Sequence, residues 1–282
     1  MIRELSLIRT AARRAMSFRL ANGVPLDSPC DIYQLIPSSR VDLQFVDIPS
    51  LEGMYLDEPE SHRICVGAHR PVGRQRFTAA HELGHHVFQH GTRIDAIIRN
   101  GDAHAGSRNE ELIADTFARY ILMPSRAVQT AFRLRNVNPS HPDPASTYSA
   151  ACWLGVGYET LLSQMECSLK ILASADRKCL SKTGPKAIKA ELYGGAVAVD
   201  VWPLDELWAG MRLHCQIGDV ILGLQPVSST PVSDCLLQAA HGAFTAAGVG
   251  NIHALLRSNR AVQISISRRP YVGFYEYRYM AE

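Results

Sequence analysis

The residues best equipped for chemistry lie together at His81-Glu82-Leu83-Gly84-His85. Around them Phe77, Ala80, Leu83, Gly84, Val87 and Phe88 recur at three- and four-residue spacing, which predicts a helix from Gln75 through Gln89. Residues four apart share a helix face, so His81 and His85 can direct both imidazoles at one cation while Glu82 reaches the edge of the same cleft. Two nitrogen ligands and a nearby carboxylate are what a zinc hydrolase needs. Zinc lowers the pKa of bound water to about 7, and Glu82 is the general base that takes its proton. Five residues alone are only moderately specific, because a surface or cap histidine pair has the same spacing.

A catalytic zinc takes a third protein ligand and leaves a fourth position for water. Glu111-Leu112-Ile113-Ala114-Asp115 supplies a matched second helix, expected from about Asn109 to Met123 and ended by Pro124. Glu111 and Asp115 are again four apart, and the small Ala114 lets two helices approach closely. Glu111 is placed to ligate. Asp115 is placed to accept the second ring N–H of a ligand histidine and fix its tautomer. Glu110 competes as ligand, and both glutamates also suit the positive end of a helix dipole; Glu111 is favoured because it has the partner at i+4. His86 and His90 read as packing or surface residues. His104, in the Gly-containing loop 100–108, and Tyr120 are candidates for contacting substrate or transition state.

The run Arg74 to His90 (RQRFTAAHELGHHVFQH), then Glu111-x-x-Ala114-Asp115-x-Phe117-Ala118 and Ile121-Leu122-Met123-Pro124, resembles the ImmA/IrrE family of metallopeptidases. R-F-T-x-A-H-E-L-G-H and F-A-x-x-[IL]-L-M-P are far more specific than H-E-x-x-H. Leu51-Glu52-Gly53 before a strand and a basic first helix also fit. Asp115 stands where asparagine is frequent, and Arg119-Tyr120 replaces small residues, without touching the metal set. The resemblance covers residues 1–135, and more weakly the remainder. It implies His81, His85 and Glu111 as ligands of one zinc per chain, Glu82 as general base, and a helix-turn-helix repressor as protein substrate, cut to derepress stress-response or mobile-element genes. It also implies a helix-turn-helix-like segment and a C-terminal, sensory domain of GAF-like shape.

Ile2–Leu20 reads as an amphipathic helix closed by Asn22-Gly23, with a short helix near Asp31–Ile36. Val41–Val46 alternates as a half-buried strand, and Leu51–Leu56 and Arg63–Gly67 are strands, with Gly53 and Asp57–His62 as turns. Arg63–Gly67 is expected to be an edge that pairs with an extended substrate. Residues 137–146 hold three prolines and read as a linker, followed by a helical stretch, Thr147–Ala173, broken at Gly155-Val156-Gly157. Beyond Ser174, Ala196–Val201, Leu213–Ile217, Val220–Leu224, Val262–Ser267 and Val272–Tyr279 read as strands, with a helix from Asp234 to Ala247. The fold class is thus α+β: a zincin-like metallopeptidase domain over 1–135, a helical segment over 136–175 and an α/β domain over 176–282.

Composition bounds the rest. The 282 residues are 46% hydrophobic and 20% charged, too apolar for a disordered chain, and 29 Lys plus Arg against 27 Asp plus Glu give a formal charge of only +2. No whole-chain field argues for nucleic acid, and Thr147–Ala173 holds Lys170 as its one basic residue, against direct DNA binding. No apolar run approaches the roughly 20 residues of a membrane helix. Seven scattered cysteines without a C-x-x-C pair suit free thiols in the cytoplasm. The five arginines among the first twenty residues also fit a transit peptide, though Leu5, Ile8, Ala12 and Met16 form an ordinary apolar stripe.

Overall fold

A computed structural model describes residues 2–96, 108–225 and 234–281. They divide into two compact units: residues 1–130 with 154–156 and 272–275, and residues 131–153 with 157–271 and 276–282.

In the first unit, α1 (Ile2–Ala21) and α2 (Ile32–Ser38) precede β1 (Val41–Val46), β2 (Leu51–Glu58) and β3 (Ser61–Gly67). The motif helix α3 (Val72–Val87), the short β4 (Arg93–Ala96) and α4 (Arg108–Leu122) follow. The alternation read in Val41–Val46 becomes strict burial of Val41, Leu43 and Phe45, because a strand with one covered face buries every second side chain. The sheet runs β12-β1-β3-β2-β4, where β12 is the dipeptide Gly273–Phe274. β1 pairs with β3 in parallel and the other ladders are antiparallel.

Two expectations fail here. Arg63–Gly67 is no edge: β3 lies between β1 and β2, so both its ladders are taken and it cannot add a substrate strand. Gly53 is no turn, because β2 runs through it, with its ladder to β4 shifting register between Leu51 and Gly53.

Helix α3 packs on β2 and β3 with one side and on α4 with another. Its crossing with α4 is close because Gly84 faces Ala114: a Cβ on Gly84 would sit 3.0 Å from Ala114 Cα. Arg19, wholly buried in α1, donates to the carbonyl of Ile121 near the end of α4 and to those of Pro25 and Ser28. These bonds satisfy a helix-end carbonyl that has no partner of its own inside the helix.

The second half of the chain contains α5 (Ser125–Arg133), α6 (Pro144–Leu154) and α7 (Tyr158–Ser163), the last running into a π turn over Gln164–Ser168. Then come α8 (Ser174–Lys182) and α9 (Pro185–Tyr193), which the apolar pattern does not announce because Leu180 and Ile188 are their only buried residues. The strands β5 (Val201–Pro203), β6 (Arg212–Gln216), β7 (Val220–Leu222), β8 (Leu236–Gln238), β9 (Phe244–Ala246), β10 (Gly250–Leu255) and β11 (Ala261–Ser267) form two sheets, β10-β11-β6 and β5-β7-β9-β8. The helix expected over 234–247 is instead the β8–β9 pair. Its alanines favour a helix, but His241 and Gly242 adopt left-handed backbone, φ 58° and 70°, and reverse the chain. Likewise the strand expected over Val272–Tyr279 is only β12, followed by a 3-10 turn. The mixed helices and small sheets make an α+β chain.

Candidate metal centre

Helix α3 presents two chemically different faces. His81 and His85 turn towards α4, while Thr78, Glu82 and His86, also four apart, turn towards β2. On the first face His81 Nε2 and His85 Nε2 are 3.1 Å apart, and Glu111 of α4 brings Oε2 to 3.4 Å from His81 Nε2 and Oε1 to 3.6 Å from His85 Nε2. Among the described residues this is the group of three whose ligand atoms converge. Glu110 points elsewhere, its Oε2 accepting from Arg93 Nη2 at 2.8 Å.

These spacings suit a metal. Two donors bound at about 2.0–2.1 Å in tetrahedral geometry lie roughly 3.3 Å from each other. The hydrogen bonds behind the imidazoles agree. Asp115 Oδ1 lies 3.1 Å from His81 Nδ1; an ionised carboxylate only accepts, so Nδ1 keeps the proton and the lone pair stays on Nε2. His85 Nδ1 lies 2.9 Å from His90 Nδ1. Burial lowers the pKa of His90 below its ordinary value, keeping it a neutral ring that can accept from His85. Both Nε2 lone pairs and a carboxylate then face one another, an arrangement a cation between them stabilises.

His81 is 8% exposed, and Glu82 and His85 are fully buried. On the β2 face Glu82 lies against Gly53, and His86 Nδ1 bonds Tyr55 OH at 2.8 Å, with burial and the neighbouring His62 lowering its pKa. Tyr120 is nine residues beyond Glu111, half a helical turn round on α4, and therefore faces away from the ligand atoms. His104 lies outside the described residues. Two participants escaped sequence reasoning. His90 carried no signal beyond being a histidine five past a candidate ligand, and Gly53 was legible only as a glycine inside an alternating run, which marks a bulge or a close approach.

Residues 41–139 match the model of the IrrE N-terminal-like domain, Peptidase_M78. No curated protein matches the chain. The matched segment begins at β1 and holds α3, α4 and every residue of the converging group. Residues 41–139 thus carry an IrrE N-terminal-like peptidase domain, in agreement with the ImmA/IrrE resemblance of the motifs.

Proposed function

We propose that the chain is a zinc-dependent endopeptidase of zincin type, with one ion per chain held by His81, His85 and Glu111, and that its substrate is a helix-turn-helix transcriptional repressor. The observation that carries the metal reading is the convergence of one ligand atom each from His81, His85 and Glu111, all within 4.8 Å of one another, on two helices. When bound, a divalent ion in such a set polarises a scissile carbonyl and acidifies water. Glu82, next to His81 and buried, takes the proton of the attacking water and passes it to the leaving amine. Asp115 and His90 hold the two imidazoles in the tautomer that keeps Nε2 basic.

The choice of substrate, and with it derepression of stress-response or mobile-element genes, leans on the ImmA/IrrE resemblance and not on the geometry. A helix-turn-helix-like α6–α7 pair and a GAF-like sensory C-terminal region belong to the same proposal. Cytoplasmic residence is supported by seven free cysteines, with Cys30, Cys65, Cys152 and Cys215 buried as thiols. Among the described residues no helix is long and apolar enough to cross a membrane.

The test is to incubate the metal-loaded protein with a candidate repressor beside a Glu82→Gln control. Cleavage by the first alone supports the reading; binding without cleavage would make the chain a metal-containing regulatory protein. Elemental analysis should find about one zinc per chain, lost in the His81→Ala, His85→Ala double variant.

A further inference from the structure

Strand β2 carries its glycine where α3 leaves no room for a side chain. A Cβ on Gly53 would lie 2.3 Å from Glu82 Oε1, 3.1 Å from Glu82 Cδ and 2.5 Å from Thr78 Cγ2. The backbone of Gly53 is outside the left-handed region, so any residue could adopt it and the requirement is purely one of space. Glycine weakens a strand interior, and close approach of another element is the reason it is kept there. Here the approaching atoms are the end of the buried Glu82 side chain and the methyl of Thr78 one turn earlier.

The strand is held in this place from several sides. Glu52 pairs with Arg70 at 3.2 Å and with Arg74, on α3 itself, at 2.9 Å. Gly53 is locked opposite Val66 of β3, beside the irregularity in the ladder to β4. Four helical residues rise about 6 Å and two strand residues about 6.6 Å, so strand and helix stay in step. Gly53 meets Glu82, and the next inward residue, Tyr55, meets His86 at 2.8 Å.

We propose that Gly53 is a positioning residue for the Glu82 carboxylate: the bare backbone of β2 is the floor that sets where its oxygens sit relative to His81 and His85. Gly53 acts only through Glu82, so the inference rests on Glu82 being the general base. The Glu82 atoms a new Cβ would meet are the end of a flexible side chain and can yield, while the stiff Thr78 needs a small local shift, so Gly53→Ala displaces the carboxylate and the fold survives.

The experiment uses the full chain with Gly53→Ala, Glu82→Asp, Glu82→Ala and the double variants. Gly53→Ala keeps its metal stoichiometry and KM while kcat falls about 10- to 100-fold, the cost of moving a reacting group by about an ångström. Glu82→Asp withdraws the carboxylate by one methylene, so adding Gly53→Ala to it causes little further loss. A second readout needs neither metal nor activity: in the metal-free protein Gly53→Ala lowers the unfolding midpoint more beside glutamate than in the Glu82→Ala background, where only the contact with Thr78 Cγ2 remains. Wild-type kcat in Gly53→Ala, equal loss of stability in both backgrounds, or relief by Thr78→Ser instead of by the Glu82 variants would overturn the proposal. So would a Gly53→Ala, Glu82→Ala double variant that does not fold. If Glu82→Gln stays active, the general-base reading fails on its own, while the stability cycle still reports the contact.

Discussion

Buried polar side chains gather along α3 and along β6 and β11, and the histidines of α3 meet their neighbours differently from the rest. Along α3 in the first unit lie Gln75, Arg76, Thr78, His81, Glu82 and His85; along β6, β11 and the turn after β6 in the second lie His214, Gln216, Asp219, Ser265 and Ser267. In the second unit donors meet acceptors. His214 Nδ1 is 2.6 Å from Tyr279 OH, Ser265 donates to Asn251, and Asp219 accepts from Trp202 and the amide of Gln216 and pairs with Arg269. Along α3, by contrast, two imidazole Nε2 atoms and a carboxylate, all acceptors in the tautomers that their outer partners impose, point at one another. Polar burial by itself is therefore no sign of a site, since most buried polar groups are simply paired. Convergence of like groups is.

The comparison breaks most sharply at Glu82. Glu82→Gln should lower kcat by about 10²- to 10⁴-fold with metal content unchanged, measured by peptide cleavage beside elemental analysis. Loss of the metal with the activity would move Glu82 into the ligand set. Next is Asp115→Ala: without the acceptor on His81 Nδ1, metal affinity measured against a competing chelator should drop about 10- to 100-fold. An unchanged affinity would mean the contact orients nothing.

Asp219 tests the other side. Burial raises its pKa to about 6, with Arg269 opposing, against roughly 3.9 in an unfolded chain. The folded state thus holds the proton more tightly between those values. Its stabilisation is full below about pH 4 and is lost as pH rises through 6. Between pH 5 and 7 the chain should lose about 1 kcal/mol that the Asp219→Asn variant does not lose, read as the difference between their urea unfolding curves. A variant with the wild-type slope would show that the Asp219 carboxylate is not the group titrating. The smallest effect is expected at His90. His90→Phe keeps a ring stacked near Phe88 but removes the acceptor for His85, and metal affinity should fall by up to about 10-fold. A larger fall than for Asp115→Ala would reverse the ranking of the two partners.

Much of the first unit was legible because its signals are local. The period of α3, the alternation of β1 and the proline closing α4 are each written within a dozen residues. The helices α8 and α9 were not, since they bury one residue each and leave no stripe. Over 234–247 alanine content misled, because helix propensity is a weak prior that a paired hairpin overrides. The edge assignment of Arg63–Gly67 failed for another reason: strand order depends on which distant segments pair, and β1 pairs with β3 instead of with β2, the next strand in sequence.

By itself the sequence determined which side chains of the motif helix lie together, because i, i+4 spacing on a helix places His81 with His85 whatever surrounds them. It also narrowed the candidate third ligand to two glutamates. Only the tertiary structure decided that Glu111 faces the histidines while Glu110 turns to Arg93, that His90 folds back onto His85, and that the backbone at Gly53 comes within reach of Glu82. The physical reason is one of range. Local spacing is set by backbone geometry, whereas ångström-scale distances between segments far apart in sequence are set by how α3 packs between β2 and α4.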